Sequence, residues 1–283
     1  MATGPLIFDR TLLRARRARA MALGPATFLL DRVADDMADR LGAVLRTFET
    51  AADVATPSDT LRRALKGKVG SFVEAVTDDE TLPFREGSLD LVVSGLGLQF
   101  VNDLPGTLIQ IRRALKPDGL FIAALVGGDS LVELREAFGA AEIEVEGGVS
   151  PRVAPFADLR DLGALLQRAG FALPVTDVDR VTVRYSDPLA LMHDLRKMAA
   201  TNAMVERRRT PLKRATLKRM FEIYAERFSD VDGRVRATFE IVWLSGWTPH
   251  ESQQKPLAPG SAKTRLADAL KTQELPAGEK AGR

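Results

Sequence analysis

The side chains able to carry out acid–base or metal chemistry are few in this chain of 283 residues. It contains no Cys and only two histidines, His193 and His250. A thiol nucleophile and a Cys-ligated metal are therefore excluded, and we expect no protein-bound catalytic metal. His250 is followed directly by Glu251, and the two could form an acid–base pair. A hydrogen bond that only fixes their loop is the alternative interpretation.

Asp129 is the second candidate for chemistry. It follows Gly127 and Gly128, which close the apolar run Leu120–Val126. Its side chain could contact a ligand, or it could cap the next helix by accepting a hydrogen bond from a backbone N–H. The two roles can coexist.

The elements that precede Asp129 form a strand–helix–strand unit. Leu89–Ser94 is a short apolar run typical of a strand covered on both faces. A helix is predicted at Leu104–Leu115, and Lys116-Pro-Asp-Gly119 ends it and turns the chain into the strand Leu120–Val126. A crossover of this kind joins parallel strands and is right-handed, so we expect the two strands to be parallel neighbours.

The same alternation continues to the end of the chain. Apolar periodicity predicts further helices near Ser130 and at Phe156–Ala169, Pro188–Asn202 and Pro211–Phe228, and strands around Val175–Val183 and Thr238–Leu244. This order predicts an α/β protein with a doubly wound, mostly parallel sheet and a late antiparallel edge. We expect one domain over residues 1–248, with an N-terminal helical arm, followed by a mobile C-terminal tail at 249–283.

Several blocks of the sequence resemble a known superfamily. Leu82–Ser94 and Leu115–Phe121 resemble the fourth and fifth strands of class I S-adenosylmethionine (SAM) methyltransferases. Within that superfamily the chain is most similar to the complex I assembly factor described as an arginine hydroxylase, and to the malonyl-carrier-protein methyltransferases of biotin synthesis. The closer resemblance is carried by the blocks Ile7–Arg10, Phe100–Pro105, Gly127–Arg135, Glu146–Pro151, Leu162–Phe171 and Gly246–Ser252.

The resemblance implies SAM as the cofactor and a protein as the substrate or partner, which could be a respiratory complex I subunit. The residues that it places at the cofactor are Asp53, Ala55, Glu74, Asp78, Ser94, Gly95 and Leu96. The candidate catalytic residues on the substrate side are Asp129, His250 and Glu251.

The first half of the chain departs from the superfamily pattern. A SAM site normally begins with strand–Asp-x-Gly-x-Gly–helix, because glycines let the backbone approach the cofactor. Here Ala55 and Pro57 stand where glycines belong. Alanine would be tolerated with a negative φ, whereas proline removes an N–H donor. We therefore expect SAM, if it binds, to bind weakly.

The spacing in this region indicates a shortened first half. Only 29 positions (82 minus 53) separate Asp53 from Leu82, and two crossovers would need about 10–12 residues each beyond their strands. We can place one helix, Ser58–Leu65, and one strand, Val69–Val76. One strand–helix unit is therefore predicted to be shortened or missing.

The functional interpretation stays open between an enzyme and a binding protein. As an enzyme, the chain would position a nucleophile against the methyl group of SAM. Arginine hydroxylation would need an oxygen-activating metal or cofactor that the sequence does not reveal. As a non-catalytic assembly or scaffold protein, the chain would have kept the fold and lost SAM binding.

Charge is unevenly distributed, although the net charge is only +2. Basic residues concentrate between Arg196 and Arg219, and acidic residues between Glu133 and Glu146. Such asymmetry is typical of either a partner surface or solvated helix faces. On the N-terminal arm, Arg10, Arg14 and Arg17 have helical spacing and form either a solvated face or a lid over the cofactor.

Nucleic-acid binding is not expected, because few aromatic side chains are interleaved with the basic ones for base stacking. No apolar run approaches the roughly 18–20 residues that a membrane span requires. We expect a cytoplasmic protein.

Overall fold

The computed structural model describes residues 6–75, 81–254, 261 and 264–273. The chain divides into two units, Met1–Pro249 and His250–Arg283. In the first unit the described strands are β1 (Phe48–Val54), β2 (Val69–Ala75), β3 (Leu89–Gly95), β4 (Leu115–Gly127), β5 (Ala172–Tyr185) and β6 (Val235–Trp247).

Helices precede, separate and follow these strands. In the first unit they are α1 (Arg10–Ala22), α2 (Phe28–Gly42), α3 (Thr60–Ala64), α4 (Leu104–Ala114), α5 (Val132–Glu146), α6 (Leu159–Arg168), α7 (Pro188–Lys197) and α8 (Arg214–Phe228), with a short 3-10 turn at Leu98–Phe100. In the second unit α9 spans Leu266–Leu270. None of the helices in the described residues is both long and apolar enough to cross a membrane.

The six strands form one mixed sheet in the order β2-β1-β3-β4-β6-β5. β1 pairs in parallel with β2 and β3, and β3 pairs in parallel with β4. The prediction that Leu89–Ser94 and Leu120–Val126 are parallel neighbours is therefore confirmed. β6 is antiparallel to both β4 and β5.

The late antiparallel strand, predicted at the edge of the sheet, lies one place inside it. β6 is an interior strand. Its continuous apolar run Ile241–Leu244 is buried, and such a run suits a strand that is covered on both faces. The outermost strand is β5, in which exposed and half-buried residues alternate along most of its length. That alternation is typical of a strand with a solvated face.

The first half of the sheet is shortened, as the spacing predicts. Between β1 and β3 the described residues contain one helix, α3, and one strand, β2. The sheet of the described residues therefore ends at β2 on this side.

Helices cover both faces of the sheet, which makes it doubly wound. On one face Val92 of β3 packs with Leu108 of α4 and Leu162 of α6. On the other face Leu91 of β3 packs with Met37 of α2. Burying a side chain of this size stabilises the fold by about 1.5–3 kcal/mol, so the two layers hold the carboxyl ends of the parallel strands in place.

Candidate functional site

The candidate site lies where the strand order reverses. β1 is followed in the chain by its neighbour β2 on one side, and β3 is followed by its neighbour β4 on the other. Open α/β sheets bind ligands in the crevice outside the carboxyl ends of such strands. Asp53 and Ala55 at the end of β1 and Ser94–Leu96 at the end of β3 are brought together there, since Asp53 pairs with Val93 across the two strands.

Asp53 is buried at the end of β1, with 1% of its surface exposed. Its Oδ2 lies 3.3 Å from Nη1 of Arg62 on α3. A buried carboxylate requires such a partner, because burying an isolated charge is costly. This ion pair ties the carboxylate of Asp53 to the protein itself.

Ala55 adopts the backbone conformation of a glycine. Its φ is 64°, so the condition under which an alanine would be tolerated here, a negative φ, is not met. The left-handed region costs about 1–2 kcal/mol for a residue with a Cβ. The conformation is held by close packing, because a Cβ added at Gly97 would lie 2.0 Å from the carbonyl oxygen of Ala55.

Polar groups at the end of β3 divide into satisfied and unsatisfied ones. The N–H of Gly95 donates to Oγ1 of Thr56 at 2.9 Å, and Nε2 of Gln99 donates to the carbonyl oxygen of Leu96 at 2.8 Å. Oγ of Ser94 and Oε1 of Gln99 are buried, and neither has a hydrogen-bond partner in the described residues. Unsatisfied buried polar atoms are uncommon in folded proteins. Gln99 also lines the cavity described below, whereas Ser94 does not, so Oε1 of Gln99 is the candidate for contact with a ligand.

The two acids predicted at the cofactor are only partly described. Glu74 lies in β2 and its backbone pairs with Asp53, which puts it at the same end of the sheet. Its side chain, and the whole of Asp78, lie outside the described residues.

A cavity of about 550 Å³ opens at this end of the sheet. Its sheet-side wall consists of Pro57 and Ser58 after β1, Leu96 and Gln99 after β3, and Val126 near the end of β4. The volume is within the range of about 300–1,000 Å³ typical of small-molecule sites. Gln99 is not among the site residues predicted from the sequence, although its polar side chain interrupts an otherwise apolar segment.

The N-terminal arm forms another wall of the cavity. Phe8, Arg16 and Arg17 line it, so Arg17 is the member of the predicted arginine face that reaches the cavity wall. The arm is fastened by Asn102, whose Oδ1 accepts from the N–H groups of Ile7 at 2.9 Å and Phe8 at 2.8 Å. Both segments belong to the family-like blocks of the sequence, but nothing in the sequence indicates that they touch.

Asp129 lies at the end of β4 in a network of surface charges. Its N–H donates to Oε2 of Glu240 at 2.9 Å, and its exposed carboxylate lies 3.6 Å from Arg180. The prediction that Asp129 caps the next helix is wrong, because α5 begins at Val132 and Leu131 occupies the N-cap position with φ 56°. Among the described residues that line the cavity, Asp129 is absent.

His250 and Glu251 belong to the second unit. Nδ1 of His250 lies 2.7 Å from Oγ of Ser252 and accepts a 3.3 Å hydrogen bond from the N–H of Ser252. Glu251 is exposed. These contacts fix the local loop, which leaves Nε2 of His250 as the ring nitrogen available for other partners.

The acidic and basic runs of the sequence neutralise each other between α5 and α8. Arg219 lies 2.5 Å from Glu144, and Arg208 lies 2.5 Å from Glu146. The hydroxyl of Thr216 donates to Glu146 at 2.6 Å, and this bond, with help from Arg208, lowers the pKa of Glu146 to about 2 against the opposing effect of burial. The described residues contain no group of three or more His, Asp or Glu side chains that could hold a metal ion.

Comparison with known proteins identifies relatives over almost the whole chain. The methyltransferase domain family matches residues 36–123. A zebrafish (Danio rerio) protein named arginine-hydroxylase NDUFAF5, mitochondrial, is 38% identical, over 96% of this chain and 92% of its own. The human protein of the same name is also 38% identical, over 97% of this chain and 86% of its own.

A second group of relatives carries a different name. The malonyl-[acyl-carrier protein] O-methyltransferase of Laribacter hongkongensis is 35% identical, over 88% of this chain and 82% of its own. Among solved structures, a proposed methyltransferase from Bacillus halodurans superposes with a TM-score of 0.50 at 16% identity, over 75% of this chain and 99% of its own, which shows a shared fold. The chain therefore belongs to the class I SAM-dependent methyltransferase superfamily, in the group that contains the NDUFAF5 arginine-hydroxylases and the malonyl-carrier-protein O-methyltransferases.

Proposed function

We propose that this protein is a SAM-dependent, methyltransferase-like protein that acts on a protein partner during assembly of respiratory complex I. The observation that carries the proposal is the 550 Å³ cavity at the carboxyl ends of β1, β3 and β4. The names of the NDUFAF5 relatives support the assembly role. Arginine hydroxylation is the activity in those names, and it would need an oxygen-activating metal or cofactor. We propose methyl transfer as the chemistry of this chain on the ground of its methyltransferase domain.

The residues at the end of β3 fit a polar ligand. Oε1 of Gln99 would hold SAM together with the backbone of Leu96, since both residues line the cavity. SAM, when bound, supplies an electrophilic methyl group. The protein would contribute position, since holding two reactants in the right geometry removes much of the entropic part of a reaction barrier. Neither a catalytic histidine nor a metal is required for that role.

The residues at the end of β1 fit SAM less well. The carboxylate of Asp53 is paired with Arg62, and Ala55 carries a Cβ where the superfamily has a glycine. Loss of two good hydrogen bonds at the cofactor would cost about 1–3 kcal/mol, which is about one to two decades in affinity. We therefore propose weak SAM binding.

The same observations favour a second candidate, a non-catalytic assembly or scaffold protein. Ala55 and Pro57 stand where the superfamily has glycines, and the structure still has a cavity of about 550 Å³ at this loop, with Pro57 in its wall. A protein that no longer used SAM could keep the cavity for a partner or ligand.

One experiment separates the two candidates. SAM and its demethylated product are titrated calorimetrically into the purified full chain, and complex I assembly is scored in a strain that lacks the native gene. The strain is complemented with wild type, Asp53→Ala, Asp129→Ala, or the control Asp35→Ala, which changes an exposed acid on α2.

Tight SAM binding that Asp53→Ala abolishes, together with loss of assembly, would establish the enzyme. Intact assembly with Asp53→Ala and failure with Asp129→Ala would establish the scaffold. Normal complex I in the deletion strain itself would remove the partner assignment.

We propose the cytoplasm as the compartment of this protein. The NDUFAF5 relatives are named as mitochondrial, so fractionation of cells that express the tagged chain is the test.

A further inference from the structure

The cavity beside the cofactor edge is walled mainly by apolar side chains. They come from the N-terminal arm, including Phe8 and Met21, from α5, including Leu134 and Phe138, and from α7, including Leu195. At about 550 Å³ the cavity is large enough for a small molecule or an aliphatic chain. The apolar wall favours a ligand whose surface is mostly hydrocarbon.

The charges in the cavity wall all have one sign. Arg16, Arg17, Arg152, Arg196 and Lys197 line the cavity, and the described lining contains no Asp or Glu. A cationic ligand such as an arginine side chain would meet only like charges there, which is unfavourable in a partly desolvated space. An anion would meet several opposite charges.

The cations differ in how far the protein neutralises them. Arg152 forms an ion pair with the buried Glu142 and lies over the ring of Phe138, so its charge is already balanced. Arg196 is exposed and Lys197 is half-buried, and neither has an ion-pair partner among the described residues.

Arg16 is a half-buried cation on the arm whose described side-chain hydrogen bond is to a neutral group. Its Nη1 donates to the hydroxyl of Thr201 at 2.7 Å, and both residues line the cavity. Burial lowers the pKa of Arg16, and so do the neighbouring Arg19 and Arg207. Asp9 opposes this effect, but its carboxylate lies 3.2 Å from Arg207 and accepts from a backbone N–H.

A guanidinium has five N–H donors and is best satisfied by a bidentate anion. The hydrogen bond that Arg16 donates to Thr201 goes to a neutral hydroxyl and not to an anion. A partly desolvated cation without a carboxylate partner in its cavity is costly. A ligand carboxylate beside Arg16 would remove that cost.

We infer that the cavity binds an aliphatic carboxylic acid, with the hydrocarbon chain against the apolar wall and the carboxylate at Arg16. This ligand would occupy the substrate side of the proposed site, and only in that respect does the assignment rest on the proposed function. Binding itself requires neither SAM nor the protein partner.

The test is a headgroup series on the full chain. Dodecanoate, dodecanol and dodecylammonium are titrated calorimetrically without SAM, below their micelle concentrations. We expect dodecanoate to bind at least about tenfold more tightly than dodecanol, which corresponds to about 1.4 kcal/mol, and dodecylammonium to bind most weakly. Equal affinities, or tightest binding of dodecylammonium, would overturn the inference without any variant being needed.

Variants then locate the carboxylate. Arg16→Gln should reduce the affinity for dodecanoate to that for dodecanol, and Arg16→Lys should keep part of the difference. The matched control Arg19→Gln changes an exposed arginine on the same helix that is not part of the described lining, and it should leave the difference intact. Selectivity that survives in folded Arg16→Gln would refute the assignment to Arg16. A separate titration with SAM reports on the proposed function, so the two can fail independently.

Discussion

Replacing Ala55 by glycine should relieve strain at the end of β1. Ala55 is buried and has a φ of 64°, a conformation that costs a residue with a Cβ about 1–2 kcal/mol. Glycine adopts it without that cost, although glycine also gains conformational freedom in the unfolded chain worth about 0.4–1 kcal/mol. These terms partly cancel, so the single variant does not isolate the strain.

Ala52→Gly provides the matched control. Ala52 lies in β1, three residues before Ala55, and belongs to the same buried cluster, but it is not among the residues with positive φ. Both variants lose one buried methyl group and gain the same unfolded-state freedom. The difference between their free energies of unfolding should therefore equal the strain, about 1–2 kcal/mol in favour of Ala55→Gly.

The assay is urea unfolding of wild type and both variants, supported by thermal melts. At about 2–4 °C per kcal/mol, the melting temperature of Ala55→Gly should exceed that of Ala52→Gly by roughly 2–8 °C. Equal destabilisation by the two substitutions would show that Ala55 is not strained. Under the proposed function Ala55→Gly should also bind SAM more tightly than wild type, because the Cβ at the cofactor edge is gone.

Three further perturbations test the same region and the charged layer. Gly97→Ala should destabilise the fold by about 1–3 kcal/mol in urea unfolding, because the new Cβ would lie 2.0 Å from the backbone oxygen of Ala55; an unchanged midpoint would contradict the packing. Thr56→Val should cost about 1–3 kcal/mol in the same assay, since it leaves the N–H of Gly95 without its acceptor. The pKa of Glu146 is lowered to about 2, so its stabilising effect is present above about pH 4.5 and is lost as pH falls toward 2. The stability of wild type relative to Glu146→Gln, measured by urea unfolding at several pH values, should therefore decline over that interval, and a constant difference would refute the interaction.

The sheet could be predicted from the sequence because its signals are local. The apolar run Leu89–Ser94 and the helix stop at Lys116-Pro-Asp-Gly119 each depend on a few adjacent residues, and the structure has the parallel pair that they imply. The predicted turn itself is wrong, because Leu115 already pairs with Leu89 and residues 116–119 belong to β4. The shortened first half was predicted from the spacing between Asp53 and Leu82, which is too short for two crossovers. Local patterns of this kind predict the strands even though the residues of the cofactor loop differ from the superfamily pattern.

The details of the site depend on contacts between distant segments, and these could not be predicted. The helix cap considered at Asp129 does not form, because α5 begins at Val132 and the carboxylate of Asp129 lies beside Arg180 of β5. The arm reaches the cavity through Asn102, which bonds Phe8 across 94 positions. The left-handed backbone of Ala55 is likewise invisible in a residue type that rarely adopts it.

The most conspicuous charge pattern of the sequence is also the least informative about a ligand. The basic residues between Arg196 and Arg219 are partly paired with the acids of α5, and these pairs join α8 and the loop before it to the rest of the unit. Arg16, the cation to which we assign the ligand carboxylate, comes instead from the arm. Since Arg16 and the altered loop at Ala55 lie in different segments, loss of affinity for SAM need not entail loss of the carboxylate site. A protein with a weakened cofactor loop can therefore still bind a carboxylic acid in the cavity. The headgroup series measures that binding in the absence of SAM.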